Sequence, residues 1–335
     1  MNLRPICRRT LALAVGLLLV GPGLLHATDR LHPKVLAAFR EVVAPASKST
    51  TQIYCDGYRA ALGAVVDAKG YIVTKSSELK GKVECQFYDG QRREAAIVGR
   101  DQGLDLAVLK VDAQDLAVVP WTDTESLPVG SWLATPTISR DPIAIGVVSV
   151  GPRKIPAPSG ALGIQLDSVD QPARIQEVMD DSAAEKAGLQ AGDVILKVNG
   201  KTIEGRQQLV ETIRGYMPGQ KVELLVKRDA DELTIHATLG SFSQLVHGDR
   251  EQFQNTLGGA LSERRAGFAS VLQHDSVLKP SECGGPIVDL EGKVVGINIA
   301  RAGRVETFAL PASLVREAVK KLVETHLTSA SAEKQ

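Results

Sequence analysis

An excess of charge of either sign is missing from this chain. Its 39 lysines and arginines are matched by 39 aspartates and glutamates, so no net field draws it to nucleic acid or to an anionic membrane surface. Aromatic residues are scarce, at 4%, while 31 glycines supply turns; that balance suits a turn-rich β protein better than a helical bundle. Cysteine and histidine are few, four and six, and no Cys/His spacing matches a zinc or haem site. Gly284-Gly285 is not followed by the Gly-Lys-Ser/Thr of a phosphate loop. No metal and no cofactor is therefore expected. Long apolar runs are confined to Leu11–Val20, which follows Arg4, Arg8 and Arg9 and is broken by Gly21-Pro22-Gly23. That run falls short of the roughly 20 residues a bilayer helix needs. Residues 1–27 read as an export signal, with Leu25-His26-Ala27 before a polar mature start; a membrane-anchored N-terminus is the alternative. The expected location is periplasmic or extracellular, with no membrane span once the signal is removed. Removal takes Cys7 and leaves Cys55, Cys85 and Cys283, an odd count that suggests one pair and one free thiol.

At 335 residues two or three compact units are expected, at roughly 100–200 residues each. Pro33–Val43 has a helical period, with Val35, Leu36, Phe39 and Val42 on one face. Six short β runs follow between Gln52 and Leu109, separated by turn signals such as Asp56-Gly57, Asp89-Gly90 and Gln102-Gly103; that spacing reads as a small barrel or sandwich. Trp132–Thr135 and Ile143–Val150 supply further strands, and Pro152–Gly160, rich in proline, reads as a linker. Residues 161–240 form a separate unit, and strand patterning resumes at Phe268. A last helix is expected over Leu314–Leu322, with a disordered tail at 327–335.

Pro280-Ser281-Glu282-Cys283-Gly284-Gly285-Pro286 carries the chemistry: a nucleophile-type side chain on a Gly-rich turn between apolar runs. The segment resembles the active-site turn of HtrA/Deg-type trypsin-like serine proteases, written G-N-S-G-G-P. Gly63–Val66, Gly70–Thr74, Asp105–Lys110, Val129-Gly130 and Gly146–Ser149 resemble the same family's barrel strands. The resemblance implies a mainly β fold, a trypsin-like double β-barrel. In the family the triad carboxylate opens the D-L-A-V-L-K strand, where Asp105 stands. The imidazole position, three after the Thr of the Y-I-V-T strand, is Ser77, and the nucleophile position is Cys283. A hydroxyl cannot act as a base near neutral pH. The oxyanion-equivalent positions are Ser281, Glu282 and Cys283, and Ser281 is expected to be strained where the family has glycine. His274 is the one histidine in sequence reach as a relocated base, against the reading of a wall residue. The family's six-stranded barrels close their first strand on their fourth, which implies a Cys55–Cys85 disulfide; two buried thiols are the alternative.

Ala161-Leu162-Gly163-Ile164, Ala183–Leu189 and Ala191–Gly200 resemble a PDZ domain, an α/β unit that is here inserted within the second barrel. The implied domains are 28–119 for the helix and first barrel and 120–153 for the start of the second. The PDZ unit takes 157–240, a connector with the rest of the second barrel 241–312, and the last helix and tail 313–335. By that resemblance the backbone N–H groups of Leu162, Gly163 and Ile164 hold a peptide carboxylate. The peptide adds as a strand beside Ile164-Gln165-Leu166, and Leu209 and Ile213 face its terminal side chain. The expected function is an exported pseudoprotease that binds peptide or protein C-termini, as a scaffold or in envelope protein quality control. The alternative is a weak or unorthodox endopeptidase using Cys283; a thiol-based redox sensor rests on the odd cysteine alone. The resemblance leaves a homo-oligomer open.

Overall fold

The computed structural model describes residues 30–124, 127–241 and 259–332. The expected export signal at 1–27 and most of the 241–267 connector lie outside the described residues. Where one helix was expected, α1 (Pro33–Ala38) and α2 (Arg40–Lys48) follow each other, broken at Phe39, whose ψ of 4° leaves the helical range. Their apolar face, Val35, Leu36, Phe39, Val42 and Val43, packs on the main core.

The first barrel contains β1 (Thr50–Cys55), β2 (Tyr58–Asp67), β3 (Tyr71–Lys75), β4 (Val83–Gln86), β5 (Arg92–Asp101) and β6 (Leu106–Val111). It closes in the order β1-β2-β3-β6-β5-β4. Closure removes both sheet edges, so every strand finds its backbone partners inside the barrel. Ile53, Val65, Ile72, Cys85 and Leu109 fill its interior.

The disulfide expected from barrel closure is not formed: Cys55 and Cys85 are buried free thiols. The β1–β4 register explains this. Cys85 stands opposite Ile53 and Cys55 opposite Val83, so the two thiols are diagonal neighbours rather than a facing pair.

The second barrel is assembled from segments far apart in sequence. β7 (Trp132–Thr135) and β8 (Ala144–Ile155) join β17 (Phe268–His274), β18 (Pro286–Val288), β19 (Val294–Gly303) and β20 (Glu306–Pro311), in the order β17-β20-β19-β18-β7-β8. Phe268 pairs with Ile155, so the chain leaves and re-enters the barrel at adjacent residues of one antiparallel ladder. β8 runs on through Pro152, into the stretch read as linker. The β8–β17 ladder shifts register between the pairs Val271–Arg153 and Gln273–Val150, and such an irregularity accommodates a residue with no N–H to donate.

Between those two strands lies the unit β9 (Gly160–Ala161), β10 (Ile164–Leu166), β11 (Ile175–Val178), α3 (Ala183–Ala187), β12 (Val194–Val198), β13 (Lys201–Thr202), α4 (Arg206–Arg214), β14 (Lys221–Arg228), β15 (Asp231–Thr238) and β16 (Gly240–Ser241). It has its own core, with Ile175, Ile195, Leu209, Leu224 and Val226 fully buried. The ends of the unit pair with each other, Gly240 with Ala161 and Ser241 with Gly160.

The last helix, α5 (Ala312–Ala332), runs well past the expected end at Leu322 into the stretch read as a disordered tail. No Gly or Pro interrupts the segment, and Thr325 and Thr328 hydroxyls donate to carbonyls four residues back. Its Leu322 packs on Gly99 of the first barrel, where a Cβ would come within 3.0 Å. Among the described residues no helix is long and apolar enough to cross a membrane.

Candidate functional site

The two barrels meet where the β2–β3 hairpin touches the Cys283 turn. Leu62 N–H donates to Cys283 O at 2.8 Å, and Thr74 Oγ1–H donates to Leu62 O at 2.6 Å. Gly284 adopts φ +95°, and a Cβ there would lie 2.4 Å from Leu62 O. Only glycine fits that close approach in the left-handed region. The Gly-rich turn is thus explained by packing between the barrels, whatever its chemistry.

The structure brings Ser77 onto Asp105. Ser77 N–H donates to Asp105 Oδ1 at 2.8 Å and Ser77 Oγ–H to Oδ2 at 2.9 Å. Asp105 is buried, in the left-handed region at φ +58°, and its carbonyl accepts Ser76 N–H at 2.7 Å. Arg100 Nη1–H donates to Ser76 O at 2.8 Å and holds the loop from the other side. Burial pushes the Asp105 carboxyl above its usual range, opposed by the Ser77 hydrogen bonds and the Lys75 charge.

Cys283 is fully buried, and its Sγ lies 3.7 Å from Lys279 O. Among the described residues no hydrogen bond joins it to Ser77, Asp105 or a histidine. Burial pushes its thiol up to about 11, against the downward pull of the Lys75 ammonium.

Pro280–Glu282 forms a single 3₁₀ turn. Glu282 N–H donates to Lys279 O at 2.9 Å and Cys283 N–H to Pro280 O at 3.2 Å. Two amides of the oxyanion-equivalent stretch therefore point into the turn, not toward a reacting carbonyl. The strain expected at Ser281 is absent: its φ is not positive, because the 3₁₀ turn replaces the conformation that requires glycine.

His274 is sealed in the second barrel. Its Nε2 lies 2.9 Å from Asn298 Oδ1, whose own backbone carbonyl accepts Gly284 N–H at 2.6 Å. Asn298 Nδ2–H donates to Thr135 Oγ1 at 3.3 Å, which leaves Oδ1 as the acceptor and His274 Nε2 as the donor. Burial lowers the imidazole to about 4. It is a neutral wall group behind the turn.

Two buried cations escaped the sequence reading. The Lys75 side chain is fully buried, and its Nζ pairs with Glu78 Oε1 at 3.1 Å. The only signal was a lysine ending an otherwise apolar strand. Arg301 is 2% exposed and donates from Nη1 to Leu278 O at 2.7 Å and from Nη2 to Arg304 O at 3.0 Å, tying down the segment that leads into the turn. A cavity of about 460 Å³ lies over the turn, lined by Arg59, Glu78, Lys279, Ser281 and Arg301 among others. Among the described residues no cluster of His, Cys, Asp and Glu could hold a metal ion.

In the inserted unit, Gly163 takes φ +77°. The N–H groups of Leu162 and Gly163 donate to no backbone carbonyl among the described residues, while their own carbonyls accept from Ala184 N–H and Met179 N–H. β10 pairs with β11 on one edge only. Leu209 and Ile213 do not face a ligand groove as expected: they are 1% and 6% exposed, inside the core. The face of α4 turned to a cavity of about 470 Å³ presents Arg206, Val210 and Arg214, with Ser168 and Asp170 across from them. Helical periodicity marks a buried stripe but does not say whether core or ligand lies over it.

Two closed six-stranded barrels meeting at a Gly-rich turn, with a PDZ-type unit carrying a free amide loop, define a trypsin-like peptidase fold with a PDZ domain. The trypsin-like peptidase domain family matches residues 61–159 and the PDZ domain family residues 160–239. The chain is similar to a probable periplasmic serine endoprotease DegP-like of Marinomonas sp. (strain MWYL1), 25% identical over 309 residues, covering 66% of each chain. A probable periplasmic serine endoprotease DegP-like of Ectopseudomonas mendocina (strain ymp) is 24% identical over 294 residues, covering 62% of each. Among solved structures it is similar to the serine endoprotease from Yersinia pestis, at 19% identity and TM-score 0.30, over 61% of this chain and 98% of that one. The two family matches lie side by side over residues 61–239, so the chain carries a trypsin-like peptidase domain and a PDZ domain and is similar to the DegP-like endoproteases. It spans about two thirds of the length of the curated relatives it matches, or less.

Proposed function

We propose that this chain is an exported HtrA/Deg-type pseudoprotease that binds peptide or protein C-termini through its PDZ unit. The observation that carries the reading is Ser77. Asp105 holds a hydroxyl at 2.9 Å where the family's chemistry needs an imidazole, and a hydroxyl cannot take a proton from Cys283 near neutral pH. The thiol pushed up to about 11 and the inward-turned amides of the 3₁₀ turn support the same conclusion. The names of the relatives, which call them periplasmic, together with the expected signal at 1–27, support an exported location. The free N–H groups of Leu162 and Gly163 and the open edge of β10 support a bound C-terminus, with carboxylate at the loop and backbone along the strand.

The test is to incubate the mature chain with unfolded casein beside its Cys283→Ala variant, and to measure binding of C-terminal peptides in parallel. Equal, background-level cleavage and peptide binding lost in Gly163→Asp are expected. Cleavage that disappears in Cys283→Ala would establish the alternative, an unorthodox endopeptidase; the one observation favouring it is the buried Lys75 ammonium, which stabilises a thiolate at Cys283.

A further inference from the structure

The PDZ groove carries a charge feature, and its position relative to a bound peptide can be worked out from the hydrogen bonds that fix α4. At its C-terminal end, Tyr216 O accepts Gly160 N–H at 2.7 Å, which anchors the helix beside the Leu162-Gly163 loop. At its N-terminal end, Arg206 N–H donates to Asp170 O at 2.7 Å and Gln207 N–H to Asp170 Oδ1 at 3.2 Å, which anchors it beside the segment following β10. Helix α4 therefore runs opposite to β10, with Arg214 near the loop and Arg206 far from it.

A peptide whose carboxylate sits on the loop extends along β10 toward Ser168. Arg206 lies eight residues before Arg214, a rise of about 12 Å at roughly 1.5 Å per residue, which an extended strand covers in about four residues at roughly 3.3 Å each. Arg206 thus stands beside the peptide residues two to four positions before the terminal one. Strand side chains alternate, so the second and fourth from the terminal one share the terminal side chain's face.

The charges lining this cavity are unequal in their engagement. Asp170 Oδ1 accepts an amide of the helix N-terminus, and Glu211 Oε1 accepts Gln207 Nε2–H at 3.0 Å. The Arg206 guanidinium is exposed and, among the described residues, makes no hydrogen bond or ion pair. Val210, half-buried one turn on, gives the methylenes of a passing side chain an apolar contact. We infer that the groove selects C-terminal peptides carrying an acidic side chain two to four residues before the terminal one, read by Arg206 over Val210. This rests on the proposal that the PDZ unit binds C-termini.

The experiment uses the mature chain and acetylated heptapeptides Gly-Ser-X-Ala-X-Ala-Z, with X as Glu, Gln or Lys and Z as Ala, Val or Phe, each with a free and an amidated C-terminus. Affinities are measured by competition against a labelled peptide. The Glu peptides are expected to bind roughly three- to fivefold more tightly than the Gln peptides, the range of a solvent-accessible ion pair, with Lys weakest and the difference shrinking in high salt. Arg206→Gln should abolish the discrimination, and Arg206→Glu should reverse it toward Lys. Equal binding of Glu and Gln peptides, or discrimination that survives Arg206→Gln, overturns the inference and leaves C-terminus binding standing. Absence of binding in every series, or amidated peptides binding as well as free acids, overturns both.

Discussion

Replacing His274 by Gln isolates one buried titratable group of the second barrel. The imidazole donates from Nε2 to Asn298 Oδ1 at 2.9 Å, and a Gln amide keeps a donor for that oxygen while removing the titration. Burial holds the folded-state pKa at about 4, against the usual 6.5 of an exposed histidine. The folded value is depressed, so the unfolded chain binds the proton first. Stability is fully present above pH 6.5, falls as pH drops from 6.5 toward 4, and stops falling once both states are protonated. A difference of that size corresponds to about 3 kcal/mol at 1.36 kcal/mol per pH unit. Urea unfolding followed by tryptophan fluorescence reads the right unit. Both tryptophans, Trp132 on β7 and Trp121 bridged to Val294 of β19, belong to the second barrel, and the PDZ unit has none. Between pH 7.5 and pH 4 the wild-type chain should lose about 3 kcal/mol more than His274→Gln, whatever the variant's stability at pH 7.5. Should the variant not fold, the His274 ring resonances of the wild-type chain carry the same test, with no titration expected above about pH 5. Parallel pH curves for the two proteins, or a His274 titration near 6.5, would refute both the buried neutral histidine and the reasoning that removes it as a base.

Cys283 should be silent to alkylation in the folded chain at pH 8, reacting at least about a hundredfold more slowly than free cysteine, since its thiol is buried and pushed up to about 11; stoichiometric labelling without denaturant would contradict this. After denaturation without reductant, the mature chain should show three reactive thiols, because Cys55, Cys85 and Cys283 are free; a single one would mean that Cys55 and Cys85 are joined. Gly284→Ala should destabilise the second barrel by about 3 kcal/mol, since its Cβ would lie 2.4 Å from Leu62 O at φ +95°; an unchanged urea midpoint would be the contrary result. The double variant Ser77→His with Cys283→Ser should stay at least about a hundredfold below a competent trypsin-like enzyme on a peptide substrate, because Glu282 and Cys283 N–H groups already serve Lys279 O and Pro280 O; full activity would show that the turn opens freely.

How far the sequence could be read depended on whether a feature was local. The strands of the first barrel show as short β-branched runs between Gly-rich turns, because that pattern is written in adjacent residues. Ser77 and Asp105 could be named from strand-end motifs, but the hydrogen bonds between them follow from a chain crossing that no window contains. Lys75 and Arg301 were missed for the same reason. What makes a buried cation tolerable is a partner, Glu78 in one case and the Leu278 carbonyl in the other, and composition does not show who the partner is. Leu209 and Ile213 were placed on the correct stripe of α4 but assigned the wrong neighbour. At Ser281 the expectation assumed an inherited backbone, and the 3₁₀ turn removed the need for glycine. The course of β8 through Pro152 is set by its pairing with β17, which no sequence window contains.

The meeting of Ile155 and Phe268 on one ladder means that, from the barrel's side, the whole PDZ unit is a hairpin loop. A loop's length enters the closure entropy only logarithmically, and a domain that folds on its own core contributes no floppy chain to that term. Such a module can be lifted out and Ile155 joined to Phe268 by a short turn, leaving the β8–β17 hairpin intact. The β17 strand that re-enters the barrel at Phe268 ends at His274, whose Asn298 partner accepts Gly284 N–H through its backbone carbonyl, so the ladder that carries the insertion also backs the Cys283 turn.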